Sequence, residues 1–407
     1  MSLAAPPHVR TRAARRIGIV VVLTAIAVAV HIWYRNRHHF LDLFIYRDAV
    51  RWWDAGNPLY EFAHPDATQG RLGFTYPPFA AFLLRPLAWL TTTQAVWAYI
   101  VVTVLAFAAS VWWLVRPMAD RHGWPRWFAF AIVLVLATGL EPIREGFTFG
   151  QINFVLWVLI LFDLLVLLPR GSRFTGVGIG LATAIKLVPG IFIVYLLVTR
   201  RWRAAAMAAG ATVAATALAA VAAPRDSWTF LTEQLTRGEG VGQLDYAFNQ
   251  SVLGTLARLA HPDQPSRLLW LVLVLAVLGY GLWRAARAAA AGDEVSALTL
   301  VGIVGSLVSP VTWVHHVFWF VPALVVLLDT ATGPVGAARE GLRPRWGLIG
   351  LAALIYVTVT VSVLSLWEFT LGRPGGPVGF VLSNWFVWLM LALLPALPIR
   401  RQVAVET

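Results

Sequence analysis

Three aspartates, Asp42, Asp48 and Asp54, recur at six-residue intervals in "FLDLFIYRDAVRWWDAGNPLYEF", residues 40–62. A carboxylate beside a substrate hydroxyl can act as a general base. A six-residue interval does not stay on one face of a 3.6-period helix, so some of the three must be solvated or structural. Other chemistry-bearing residues are scattered through the chain. They are Tyr76 in "FTYPP", Arg85, Arg144 in "EPIREGFTFGQIN" with Gln151 and Asn153 at its end, Lys186 as the single lysine, Asn249 and Gln250 in "DYAFNQS", and His315-His316 in "SPVTWVHH". Guanidinium and ammonium groups suit a phosphate, and imidazoles can orient a carboxylate or share its proton. Each residue also has a plainer reading. Gln151 and Asn153 can be helix-packing amides, Lys186 can snorkel to the interface, and the histidines can belong to the core. Asp163 is expected to pair with Arg170 or Arg173. "NQS" matches the glycosylation acceptor pattern, a weak signal by itself.

These residues sit in an unusually apolar chain. Hydrophobic residues make up 59% of it, charged residues 13%, and mean hydropathy is +0.71. A soluble domain carries about 25% charge. The composition therefore points to an all-α polytopic membrane protein, and the alternation of a β-barrel is missing. There are no cysteines, which excludes disulfides and thiolate chemistry. No HExxH, DxD, P-loop or GxGxxG motif occurs; the candidate site residues include no metal ligand and imply no cofactor, and nothing in the sequence requires a divalent ion although one can bind.

Apolar runs bounded by charge or Gly/Pro give about 12 candidate spans: 17–34, 95–115, 127–141, 151–168, 174–186, 188–199, 203–222, 267–284, 296–309, 311–328, 346–366 and 377–397. The N-terminal run reads as a retained first span. The run 174–199 is split near Lys186–Pro189, because "RGSR" and "RRWR" at its two ends are both basic and belong on one side. With the N-terminus inside, 19 of the 32 basic residues fall on inner segments, while 13 of the 20 acidic residues fall outside. The +12 net charge is thus a topological signal and does not require nucleic acid. "YPPFAAFLLRPLAWL" (76–90) is too short to span and carries Arg85. It reads as an outer juxtamembrane or re-entrant helix opened by Pro77-Pro78. The whole chain, 1–407, reads as one membrane-embedded domain, with a first span at 17–34, a first periplasmic loop at 35–94 and the remaining spans over 95–397. Both termini are expected in the cytoplasm of a bacterium. In this topology the polar motifs all collect on the outer side.

Taken in order, "DLFIYRDAVRWWDAGNPLY", "FTYPPFAAFLLRPLA", "GQINFVLWVLI", "GIGLATAIKLVPGIFIVYLLVTRRW", "NQS" and "SPVTWVHH" resemble the bacterial polyprenyl-phosphate-mannose-dependent α-1,2-mannosyltransferases of the membrane-embedded GT-C class. The resemblance runs from about residue 40 to 325; residues 346–407 carry no matching motif. It implies a polyprenyl-phosphate-mannose donor, a glycolipid acceptor of the phosphatidylinositol mannoside type and a site facing the periplasm. It also implies a catalytic aspartate in the first outer loop, which falls on Asp42, and a histidine pair, which falls on His315 and His316. Lys186, Arg144 and Arg85 are then candidates for the donor phosphate, with Tyr76, Trp52, Trp53 and Trp313 for sugar rings or the lipid groove. Two other readings compete: a GT-C enzyme using another sugar or a lipomannan acceptor, and a polyprenyl-lipid flippase. A flippase predicts functional polar residues on both faces and internal repetition; neither is visible in the sequence.

Overall fold

The computed structural model describes residues 7–34, 38–66, 70–235, 242–333, 345–369 and 376–400. Parts of the expected inner segments, at 1–6, 334–344 and 401–407, lie outside the described residues. The chain is mostly helical, and each of the twelve apolar runs contains helix. Helix α1 spans Pro7–Tyr34, α2 Leu41–Asp54, α3 Pro78–Leu84, α4 Thr92–Arg121, α5 Arg126–Thr138 and α6 Glu141–Phe149. Then come α7 (Asn153–Leu161), α8 (Val177–Ile185), α9 (Ile191–Val198), α10 (Trp202–Ala222), α11 (Pro224–Thr229), α12 (Val252–Ala260) and α13 (Arg267–Ala290). The last are α14 (Glu294–Val308), α15 (Phe320–Thr332), α16 (Trp346–Thr360), α17 (Val363–Phe369), α18 (Gly376–Ser383) and α19 (Trp385–Ala396).

Among the described residues, four helices are long and apolar enough to cross a bilayer alone, within α1, α4, α10 and α13. Two bent pairs, α5–α6 at 73° and α18–α19 at 65°, raise the number to six. The other expected runs are shorter helices. The run at 311–328, for example, becomes an α-helix only at Phe320. Breaks of this kind are tolerated at membrane depth where the freed backbone is buried in protein or lines a cavity.

Local chemistry explains the boundaries. Pro78 opens α3, where its missing N–H costs nothing. Thr91 and Gln94 form a reciprocal capping box at the start of α4. Lys186 is extended (φ −151°, ψ 132°) and ends α8, and Pro189 sits in the short 3₁₀ turn before α9. This is the break expected from the charge pattern. Helix α14 is buried almost all round, as an apolar helix in the centre of a bundle should be. Its small residues let large neighbours close in: a Cβ on Gly302 would meet the Trp319 ring at 2.0 Å. Buried hydroxyls return to the preceding turn, with Thr299 donating to Val295 O at 2.6 Å and Ser306 to Gly302 O at 3.0 Å.

Two features were not anticipated. A short antiparallel hairpin, β1 (Ala63–Asp66) with β2 (Gly70–Gly73), lies in the first loop. Asp163 does not take an ion pair from Arg170 or Arg173. Its Oδ2 accepts from the Ile179 N–H at 2.7 Å, in the first turn of α8, where free donors and the helix dipole favour a carboxylate. Arg170 instead donates to Val166 O, and Arg173 lies over the Phe174 ring.

Candidate active site

Most of the charge in the 40–62 stretch builds the scaffold. Arg47 is buried and donates to Leu90 O and Thr92 Oγ1, and Arg51 donates to Ala88 O and Leu90 O. Both guanidiniums therefore hold α2 against the chain that leads into α4. Asp54 pairs with Arg85 at 2.7 Å near the surface. Asp48 has a side chain 43% exposed and lies 3.9 Å from Arg47. Asp42, in the first turn of α2, has a different environment.

The backbone leading to Asp42 is unusual. His39 (φ 50°) and Phe40 (φ 59°) both adopt the left-handed region, which is costly for side-chain-bearing residues and concentrates at functional sites. The turn is held from α6: the Phe40 N–H donates to Thr148 O at 2.9 Å, and His38 Nε2 lies 2.6 Å from the Glu145 carboxylate. The His38 ring also stacks on Phe149, with centroids 3.7 Å apart. Gly150 ends α6 at φ 80°, and a Cβ there would sit 2.6 Å from the Leu43 Cβ. Glycine is required on both counts. The next residue, Gln151, is thereby brought onto Asp42.

Gln151 Nε2 donates to Asp42 Oδ2, and Gln151 Oε1 accepts from the Tyr76 hydroxyl at 3.2 Å. Tyr46 and Tyr76 share a hydroxyl contact at 2.8 Å. Lys186 Nζ lies 3.4 Å from the Tyr76 oxygen, 3.1 Å from Asn153 Oδ1 and 2.9 Å from His316 Nε2. Asn153 Nδ2 donates to His315 O at 3.0 Å. A connected polar cluster therefore joins Asp42, Gln151, Tyr76, Lys186, Asn153 and His316, drawn from five separate stretches of chain. His315 adjoins His316, with ring centroids 4.6 Å apart, and its buried Nε2 has no hydrogen-bond partner. Burial pushes the Asp42 carboxyl up to about 6, against the opposing pull of the Gln151 hydrogen bond.

Below Lys186, Asn153 and His316, an apolar cavity opens between α7, α9 and α14, walled by Leu156, Ile160, Ile191, Phe192, Phe318 and Trp319. It is small, about 40 Å³.

The remaining sequence candidates sit elsewhere. Arg144 donates to Gly139 O, Thr360 O and Ser362 Oγ and lies over the Tyr34 ring at 4.2 Å, tying the α5–α6 bend to α16 and α1. Arg85 stays with Asp54 and the Trp53 ring. Asn249 Oδ1 accepts from the Thr312 N–H at 3.0 Å, and the Gln250 N–H donates to Thr312 O at 2.6 Å. The Gln250 side chain bonds Ala247 O, Ser383 O and the N–H groups of Phe386 and Val387. "NQS" therefore anchors the segment that leads to His315 and His316, and Asn249 is fully buried. His38 and Glu145 were missed in the sequence. Their signal was a histidine beside the first carboxylate of α2 and an acidic residue one turn before the Gly150 stop.

Broken apolar helices that gather a carboxylate, a lysine and two histidines around one polar cluster fit a group-transfer enzyme of the membrane. The glycosyltransferase family 87 pattern matches residues 74–310, and the chain belongs to that family. The chain is 34% identical, over 80% of each chain, to the polyprenol-phosphate-mannose-dependent alpha-(1-2)-phosphatidylinositol mannoside mannosyltransferase of Mycobacterium tuberculosis. It is 31% identical, over 91% of this chain and 83% of the relative, to a phosphatidylinositol pentamannoside mannosyltransferase of the same species. An alpha-(1->3)-arabinofuranosyltransferase of that species is 25% identical, over 83% of this chain and 70% of its own length. No solved structure matches the chain.

Proposed function

We propose that this glycosyltransferase moves mannose from polyprenyl-phosphate-mannose to a phosphatidylinositol-mannoside-type glycolipid, with inversion, to form an α-1,2 linkage. The observation that carries the reading is the single cluster linking Asp42 to Lys186 and His316 above an apolar cavity. The identity to the mannosyltransferases exceeds that to the arabinofuranosyltransferase, which favours mannose as the sugar.

Asp42 is the general base. It accepts the proton of the acceptor hydroxyl as that oxygen attacks the anomeric carbon. A carboxyl raised to about 6 is still mostly ionised at pH 7 and is a stronger base than an ordinary aspartate. Gln151 holds it in place. The bond from the anomeric carbon to the phosphate oxygen breaks, and Lys186 and His316 meet the departing polyprenyl phosphate. That leaving group is a weak base, so no general acid is needed. His315 Nε2, buried and unpartnered, is available to the arriving sugar or hydroxyl. The first isoprene unit of the donor lies against the apolar residues beside Lys186 and His316, and the rest of the prenyl chain stays in the bilayer. The chain makes about twelve crossings and excursions of the bacterial plasma membrane, with the cluster on the periplasmic side and both termini in the cytoplasm.

The test is direct. Purified protein is incubated with polyprenyl-phosphate-mannose and a series of phosphatidylinositol mannosides, and the products are read by mass. A product one hexose larger, cleaved by an α-1,2-mannosidase, is expected. Turnover only with a different activated sugar overturns the donor assignment.

A further inference from the structure

The hydrogen bonds around Lys186 fix a proton count. The Trp313 N–H donates to His316 Nδ1 at 3.2 Å, so that nitrogen carries no hydrogen. A neutral imidazole then carries its hydrogen on Nε2, the atom 2.9 Å from Lys186 Nζ. An ammonium has three hydrogens and no lone pair, so it cannot accept that bond. A neutral amine fits every contact. Its two hydrogens go to Asn153 Oδ1 and the Tyr76 oxygen, and its lone pair receives His316 Nε2–H.

We propose that Lys186 is held as the neutral amine in the donor-free site and takes up one proton from solvent as the donor's phosphodiester seats between Lys186 and His316. This rests on the donor assignment above and extends it. The balance is simple: Lys186–NH₂ plus one proton gives Lys186–NH₃⁺. The third ammonium hydrogen and His316 Nε2–H then both point at phosphate oxygens instead of at each other. An acceptor placed between two donors relieves the conflict that charging Lys186 alone would create. The Tyr76 ring, 5.0 Å from Nζ, stabilises the cation once it forms. The titratable groups facing Lys186 are Asp42, Tyr76, His315 and His316. Of these Asp42 favours the charged lysine, and the buried surroundings oppose it. The device discriminates against neutral lipids, because only an anion supplies the charge that makes protonation favourable in a buried site.

The experiment is calorimetric titration of the detergent-solubilised, full-length protein with a short-chain prenyl phosphomannose, without acceptor, at pH 7.5. This probe is a diester and has one fixed charge across the range used. Runs in two buffers of different ionisation enthalpy give the number of protons taken up. The expected result is close to one proton per donor bound. In Lys186→Arg, whose guanidinium is permanently charged, binding is expected to persist with uptake near zero. Binding to the wild type without proton uptake overturns the proposal and leaves the donor assignment standing. Equal uptake in Lys186→Arg also overturns it, by assigning the proton to another group. Absence of binding to the wild type removes the donor assignment and the proposal with it. The wild-type count decides even if Lys186→Arg fails to fold.

Discussion

The side-chain amide of Gln151 donates to the Asp42 carboxylate although the two residues lie 109 positions apart. The bond favours the ionised carboxylate and so opposes the upward push of burial. Gln151→Ala is expected to lower kcat about 10-fold or more and to move the acid limb of the pH–rate profile to higher pH. A structural role alone predicts lower expression with an unshifted limb, and that outcome would remove Gln151 from the mechanism.

The three aspartates of the opening stretch now separate by environment. Only Asp42 joins the cluster; Asp54 is occupied by Arg85, and Asp48 is half-exposed. Asp42→Asn is expected to lose about 10²–10⁴-fold in rate, the usual scale for general-base loss. Asp48→Asn and Asp54→Asn are expected to keep most of their activity. The sign of the pH dependence follows from the raised carboxyl. The base works only when deprotonated, so wild-type activity should climb as pH rises through about 6. A flat profile from pH 5 to 7, or a dead Asp48→Asn beside an active Asp42→Asn, sinks the assignment.

The cations divide in the same way. Arg144 is buried and satisfies Thr360 O, Ser362 Oγ and Gly139 O, so Arg144→Ala orphans several acceptors at roughly 1–3 kcal/mol each. It should lower the thermal midpoint and the yield without raising the donor KM of the protein that folds. Arg85→Ala, at the surface, should leave both nearly unchanged, because exposed pairs contribute about 0–1 kcal/mol. Lys186→Ala should raise the donor KM of the protein that folds. A donor KM that rises in Arg144→Ala and not in Lys186→Ala would reverse these roles.

His38 and Glu145 hold the turn that delivers Asp42. His38→Gln and Glu145→Gln are expected to cost activity to a similar degree, and the double variant no more than either alone, since both remove one 2.6 Å contact. Additive losses would show that the two residues act separately.

Much of this was legible in the sequence because membrane proteins advertise their rules. Apolar length and Pro77-Pro78 anticipated the helices, and the Lys186–Pro189 break followed from charge placement. Two kinds of feature were not legible. Buried amides such as Asn249 and Gln250 look the same in sequence whether they bind substrate or satisfy a neighbouring loop. Only their hydrogen-bond partners separate them, and here both polar atoms of the Gln250 side chain are used by the protein. Basic residues are ambiguous in the same way: Arg144 and Lys186 both sit at helix breaks, yet one faces backbone carbonyls and the other the cavity. The His38–Glu145 contact depends on two left-handed residues, His39 and Phe40, that no propensity predicts.

Orientation remains the widest test. The Leu59 N–H and the Trp53 indole both donate to Asp226 at 2.9 Å, so the first loop and the α10–α11 connection must share one side. The site adjoins the start of α4, through Arg47 to Thr92 and Tyr99 to Gly146 O. At the other end of that 30-residue helix, about 45 Å away at 1.5 Å per residue, Arg121 and His122 meet Asp329. Arg400 joins them, bound to Asp293 and Asp329, which ties the C-terminal segment to the end remote from the site. If the site faces the periplasm, as proposed, reporter fusions after residues 60 and 245 are expected to report periplasm, and a fusion after residue 407 cytoplasm. If residue 60 reports cytoplasm while 407 reports periplasm, the helical arrangement stands but the cluster faces the cytoplasm, and the donor must then be sought on the inner leaflet. If residues 60 and 407 report the same side, the path from Asp42 to Arg400 drawn here is wrong.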